Sequence, residues 1–287
     1  LAEFLQPPSS PVLPTRLTLA CPLCRAPLAR APKTWACPER HSFDVAREGY
    51  VNLLPVQQKA SKSPGDSAES LAARRSFLGA GHYVPLRTAV TAMLAALDAD
   101  TLIDIGCGEG WYTSAFPDAV REVIGIDIAK PAIRMAAKAY GLSCPDITWL
   151  VGSGANLPVE DAAVDAVVCL FTQLHVDEIA RVLKPGGHVV VVTPAPDHLA
   201  ALRQRLFDAL VEHQPDKFIA GFEPRFELTG REDVRAALSL DNTALRQLLA
   251  MTPYAWKAKP EKRAALEACP RLDTSAAFSL LRFRKHA

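Results

Sequence analysis

The strongest constraint on the fold is the run Thr101-Leu-Ile-Asp-Ile105, which passes directly into Gly106-Cys-Gly108-Glu-Gly110. An apolar strand that ends in three glycines at alternate positions lets the backbone take positive φ and approach a ligand closely. Further apolar runs follow at 122–128, 147–151, 164–171 and 188–193, and 131–140 and 177–183 between them read as helices. Short apolar strands alternating with helices predict an α/β fold whose mostly parallel sheet is covered on both faces. After Asp197 helix is expected to about His213. The segments 227–239 and 276–283 are expected as strands, the second as an antiparallel hairpin partner. Upstream, 68–80 and 86–97 have helix-forming composition.

A second constellation precedes these helices. Cys21-Pro-Leu-Cys24 and Cys37-Pro-Glu-Arg-His41 are separated by twelve residues. Two ligands on one tight knuckle and two on another can converge on a tetrahedral zinc ion, and Arg25, Arg40 and the metal itself favour thiolates. Bare thiols are the alternative, which the two-by-two spacing disfavours. Four protein ligands close the shell, so the zinc would be structural. The surrounding segment is short and broken by Pro22, Pro27, Pro32 and Pro38. It is too small for a core of its own, so a metal would have to supply one. The expected division is a disordered leader at 1–16, a zinc-binding domain at 17–55, a polar linker with helices at 56–100, and the α/β domain at 101–287.

Bulk charge says little, with 32 basic residues against 31 acidic. It is unevenly spread, however. Between Cys21 and Arg87 ten Lys/Arg face five acids, a local excess that could attract a phosphate backbone or simply be a solvated surface. Seven cysteines, an odd number, together with a metal-like cluster suit a reducing cytoplasm. The proline-rich first twenty residues lack the pattern of a signal peptide, and no run of 18 uncharged apolar residues predicts a membrane span.

Three features sharpen the glycine turn. Asp104 lies on the strand two residues before Gly106, Asp127 ends the next strand where a carboxylate can accept ribose hydroxyls, and Lys184-Pro-Gly-Gly187 precedes another apolar strand. The order resembles the class I S-adenosylmethionine-dependent methyltransferases, a Rossmann-like fold, with an Asp-x-Gly-x-Gly-x-Gly core. The third glycine, Gly110, comes one residue earlier than in the Gly-x-Gly-x-x-Gly loop of dinucleotide dehydrogenases. Asp127 could instead cap the helix near Pro131, and Cys107 reads as a packing residue.

The motifs Cys21-Pro-Leu-Cys24, Arg40-His-Ser-Phe-Asp44, Glu48-Gly-Tyr-Val-Asn-Leu-Leu-Pro55, Pro64-Gly-Asp-Ser67, Ala80-Gly-His-Tyr83, Asp104-Ile-Gly-Cys-Gly-Glu-Gly110, Thr193-Pro-x-x-x-His198-Leu and Met251-Thr-Pro-Tyr-Ala-Trp256 resemble the bacterial 23S rRNA guanine-N1 methyltransferases. That family includes the housekeeping enzyme of Gram-negative bacteria and a tylosin-resistance enzyme of actinomycetes. Leu54-Pro-Val-Gln with Pro64-Gly-Asp-Ser67 looks closer to the Gram-negative branch. The resemblance implies a zinc ribbon-like domain on a methyltransferase domain, and a homodimer whose cleft accepts an rRNA hairpin. It also implies cofactor contacts at Tyr83, Gly108, Glu109 and His198. From the residues alone, Tyr83 could merely pack on the sheet and His198 could cap a helix. Phe171-Thr-Gln-Leu-His175 departs from the family's usual Ala-Pro pair after the fourth strand. Guanine N1 carries a proton that must leave, and His175 and Asp197 are the candidate acceptors. N1 lies on the pairing edge, so the base has to be unpaired or turned out of its stack. Trp35, Phe43 and Tyr50 are candidates to stack on bases, with Phe43 otherwise filling the zinc module. Two other readings stay open here: a small-molecule methyltransferase, and a zinc-ribbon RNA-binding factor with a relict methyltransferase fold.

Overall fold

Alternation along the central strands decides which side chains meet which layer. In β4 (Thr101–Ile105), Leu102 points to one face of the sheet while Ile103 and Ile105 point to the other. β5 (Glu122–Asp127), β6 (Ile147–Val151) and β7 (Val164–Leu170) repeat this split, and nearly every residue in them is buried. Such double-faced burial requires cover on both sides. The computed structural model describes residues 17–58 and 65–287; the leader expected at 1–16 lies outside the described residues, as do Lys59, Lys62 and Pro64.

The main sheet has eight strands in the order β3-β6-β5-β4-β7-β8-β10-β9, with β3 at Val51–Asn52, β8 at Leu183–Pro194, β9 at Phe226–Asp241 and β10 at Arg271–Lys285. β3 to β8 pair in parallel, and β10 runs antiparallel to both β8 and β9. The expected C-terminal antiparallel partner is thus present, inserted between two strands rather than at the edge. One face is covered by α1 (Ala68–Gly79), α2 (Val84–Ala95), α3 (Lys130–Tyr140), α5 (Ala200–Leu206) and α7 (Asn242–Met251). On the other face lie α4 (Val176–Val182), Phe222 of the one-turn α6 (Ile219–Phe222), and the Cys-containing N-terminal segment.

That segment shares the sheet's own core. Leu17, Leu19, Leu28 and Trp35 cluster with Ile103, Ile124 and Val167, and each such buried side chain contributes roughly 1.5–3 kcal/mol. β3 extends the main sheet by pairing Val51 with Leu150. Arg25 donates to the carbonyls of Leu157 and Val159 at 2.9 and 2.8 Å. Its own small sheet pairs β1 (Thr34–Ala36) with β2 (Ser42–Asp44).

One stretch differs from expectation. The helix after Asp197 stops at Leu206 because Arg203 turns inward and donates to Pro196, His198 and Val211 carbonyls, drawing the following chain back over the helix. The segment after β9 forms three helices, α7, α8 (Tyr254–Lys257) and α9 (Pro260–Glu267). Asp241 starts the first of them by accepting the Ala244 N–H at 2.8 Å. Among the described residues no helix is long and apolar enough to cross a membrane.

Candidate active site and zinc knuckles

Each pair of zinc-ligand candidates sits on a turn closed by its own backbone. Arg25 N–H donates to Cys21 O and Arg40 N–H to Cys37 O, with both arginines at left-handed φ, 64° and 65°. The turns bring Cys21, Cys24, Cys37 and His41 together, all four ligand atoms lying within 4.8 Å of one another. Cys24 and Cys37 sulfurs are 3.6 Å apart, and His41 Nδ1 is 3.6 and 3.4 Å from the sulfurs of Cys21 and Cys37. Ligands about 2.0–2.3 Å from a tetrahedral ion stand about 3.5–3.8 Å apart, so the residues fit zinc.

The glycine turn opens onto a cavity of about 980 Å3 at the C-terminal ends of the parallel strands, where ligands bind in open α/β sheets. All three glycines of the turn have positive φ. Behind Gly110 a Cβ would lie 2.6 Å from Trp149 and 2.9 Å from Ala136, so this glycine lets strand and helix close together. At Gly108 the nearest atom to such a Cβ is Arg74 Nη1 at 3.5 Å, and the space beyond is the cavity. Gly106 faces Thr172, seating the unusual 171–175 loop against the turn.

Two buried acids, Asp104 and Glu109, and the half-buried Asp127 flank the turn. Asp104 accepts a 2.6 Å hydrogen bond from Thr113 through one oxygen, while the other has no partner among the described residues. Burial pushes its carboxyl up to about 7. Desolvation also raises Glu109 and Asp127. Asp127 is held by two backbone groups, Gly108 N–H at 2.9 Å and Ala129 N–H at 2.7 Å. It therefore braces the turn and caps the approach to α3, and each oxygen keeps a second lone pair. Tyr83 and His198 are buried in the same wall. Tyr83 packs edge-on against Phe77 and Phe278, and His198 Nδ1 lies 2.8 Å from Ala277 O.

The 65–67 stretch, read from sequence as linker, also borders the cavity: Gly65 abuts Ala129, and Asp66 pairs with Arg74 at 2.6 Å. Other expectations are not met. His175 packs beside Gly154, and Asp197 is exposed and paired with Arg235; neither lines the cavity. Trp35 and Tyr50 are buried in the core and offer no stacking face. Arg25, Arg30, Arg74 and Arg87 spend their charge on internal partners. Conversely, His213, Phe218, Tyr254 and Trp256 also line the cavity. Only the Met251–Trp256 motif hinted at any of them.

Two family models match the chain. One, described as the N-terminal RlmA zinc ribbon, covers residues 19–62, and one described as a methyltransferase domain covers residues 103–191. A 23S rRNA (guanine(748)-N(1))-methyltransferase of Streptomyces fradiae is 37% identical over 255 residues, 86% of this chain and 88% of the relative. The chain belongs to the 23S rRNA (guanine-N1) methyltransferase family. A Bacillus subtilis protein that carries that family name provisionally is 32% identical, covering 91% of this chain and 95% of its own length. Among solved structures, a Bacillus halodurans protein described provisionally as a methyltransferase superposes with a TM-score of 0.50 at 18% identity, over 69% of this chain and 98% of its own. A Haloferax volcanii methyltransferase complex with its Trm112 activator gives 0.50 at 20%, over 75% and 94%. These two likenesses concern the fold. Family membership makes this an S-adenosylmethionine-dependent methyltransferase with a structural zinc. The cavity suits the methyl donor, whose sulfonium and ammonium are cationic. It offers three desolvated carboxyls, the space left by Gly108, and an Asp104 oxygen and a Tyr112 hydroxyl that have no partner among the described residues.

Proposed function

We propose that the chain transfers a methyl group from S-adenosylmethionine to N1 of a guanine in a hairpin loop of 23S rRNA. The observation that carries this reading is one cavity whose lining combines two unlike sets of residues. Desolvated acids and glycine backbone line it together with exposed aromatic side chains. Trp256 is 80% exposed and Phe171 47% exposed. Large rings left in water at a cavity mouth suit an unstacked base, since base–aromatic stacking stabilises by roughly 1–3 kcal/mol.

In this reading Asp127 and the backbone of Gly106 and Gly108 face the cofactor's ribose, and Asp104, Glu109 and Gly110 surround its amino acid end. Tyr83 and His198 complete the pocket. The bound donor supplies an electrophilic methyl on sulfur. The protein excludes water and aligns N1 with that carbon. Residues 17–55 act as the zinc module and 101–287 as the methyltransferase unit. The bridging stretch, 56–100, covers the cofactor end through Asp66 and Arg74. A cytoplasmic location and a homodimer belong to the same reading; sedimentation at a mass twice that of one chain checks the latter.

The test uses labelled S-adenosylmethionine and unmodified 23S rRNA, followed by primer extension. Methyl at N1 blocks pairing, so a new reverse-transcriptase stop at one guanine is expected. No incorporation into RNA at any salt concentration rejects the reading.

A further inference from the structure

Methylation at guanine N1 breaks an N–H bond, and the proton needs an acceptor. The titratable groups of the described cavity wall sort by what already holds them. Asp104, Glu109 and Asp127 belong to the cofactor end. Asp66 is paired with Arg74. His198 is 5% exposed, with Nδ1 against a backbone carbonyl. Tyr83 and Tyr112 are buried phenols whose ionisation burial opposes.

His213 differs from all of these. It lines the cavity half-buried, with its ring centroid 6.2 Å from that of His198, beside the cofactor pocket. Its Nε2 is 2.9 Å from the Tyr254 hydroxyl, and its Nδ1 has no hydrogen-bond partner among the described residues. Neutral imidazole carries a single N–H. With Nε2–H donating to Tyr254 Oη, Nδ1 presents a lone pair. Tyr254 lies two residues before Trp256, so the group that fixes the imidazole and the ring on the rim share one turn of helix.

We infer that His213, oriented by Tyr254, accepts the N1 proton of the target guanine. The inference rests on the proposed reaction. As the proton passes to Nδ1, the N–H pair becomes the N1 pair that bonds the methyl carbon, and the carbon–sulfur bond breaks with its electrons left on sulfur. The imidazolium then returns its proton to solvent at the rim. The charged and titratable groups facing His213 are Arg203 of α5, Lys217 before α6, Lys257 of α8, His198 and Tyr254. Desolvation and the three cations hold its conjugate acid down to about 4. The ring is therefore neutral at pH 7 but a weak base, so it takes the proton only as the N1–carbon bond forms and the N–H becomes far more acidic, and it releases the proton readily afterwards.

The experiment measures single-turnover methyl transfer by the full chain to a 23S rRNA fragment across pH. Binding of S-adenosylhomocysteine is measured in parallel by calorimetry. His213→Ala is expected to lower kcat by about 10²–10³-fold, with KM for RNA and homocysteine-product affinity changed less than about threefold. The variant's rate should climb toward alkaline pH, where guanine N1 ionises unaided, and added imidazole should restore part of it. Tyr254→Phe should give an intermediate loss of kcat and shift the pH profile, which a purely packing role would not do. If His213→Ala fails to fold by circular dichroism, His213→Gln is read the same way. An active wild type with either folded His213 variant at unchanged kcat and pH profile overturns this inference alone. A wild type that leaves guanine N1 unmethylated overturns the proposed reaction and this inference with it.

Discussion

Gly108 and Gly110 stand two residues apart in one turn, yet an added methyl would meet different neighbours. At Gly110 it would collide with Trp149 and Ala136, both in the core, at a φ of 81°. Gly110→Ala should cost roughly 2–4 kcal/mol, from backbone strain plus overpacking, and is checked by urea unfolding. Gly108→Ala carries only the strain, about 1–2 kcal/mol. Its methyl points toward open space, so a larger fractional loss is expected in cofactor affinity, measured by calorimetry. Asp104 makes a different prediction. Its folded pKa, about 7, lies above the ordinary carboxylate value of 3.8. The stabilising contribution of the protonated carboxyl is complete below pH 3.8 and is lost as pH rises through 7. Asp104→Asn should therefore flatten the fall in unfolding free energy between about pH 4 and 7 relative to wild type. In the proposed site it should also weaken cofactor binding by about tenfold, the net worth of a charged hydrogen bond.

At the scale of elements, the zinc knuckles and the central strands are not separable. Metal removal by a chelator, or Cys24→Ser, should loosen the layer that covers Ile103 and Ile124. The loss should spread to the methyltransferase unit, with Tm falling by roughly 5 °C or more and Trp35 fluorescence shifting to the red. A local effect confined to the knuckles would contradict this. The same elements show why some of the fold was readable. β4 to β7 and Val189–Val192 of β8 are largely apolar runs because both faces are buried, and in β10 only the 276–281 stretch reads the same way. α7 was harder: its apolar stripe is only Leu245, Leu248 and Leu249, and its partner surface on α1 lies some 170 residues away. The cofactor turn was legible because one short stretch makes it. The rest of the cavity lining was not, because His213, Tyr254 and the Phe171 loop come from separate elements and share no spacing.

For the whole molecule, charge placement overrides charge count. Ten basic residues lie between Cys21 and Arg87, but Arg25, Arg30, Arg74 and Arg87 are bound internally. Lys33, Arg40, Arg47 and Arg75 are exposed, Arg47 at 4.0 Å from Glu48. If these four carry the N-terminal contacts to RNA phosphates, the logarithm of the binding constant should fall against that of salt with a slope of about −3, not the −7 that ten contacts would give. Fluorescence anisotropy with a labelled hairpin across salt concentrations measures it.

The pairing of Val51 with Leu150 has a consequence for how such chains are recombined. A zinc module grafted from one relative onto another must bring its edge strand, and the recipient must offer a β6 of matching register and a Leu17–Leu19 seat of matching shape. Compatibility between halves is then set at the joint, whatever metal the knuckles hold. During synthesis the N-terminal segment emerges about a hundred residues before its partner strand, so its apolar side must wait uncovered until β6 is made.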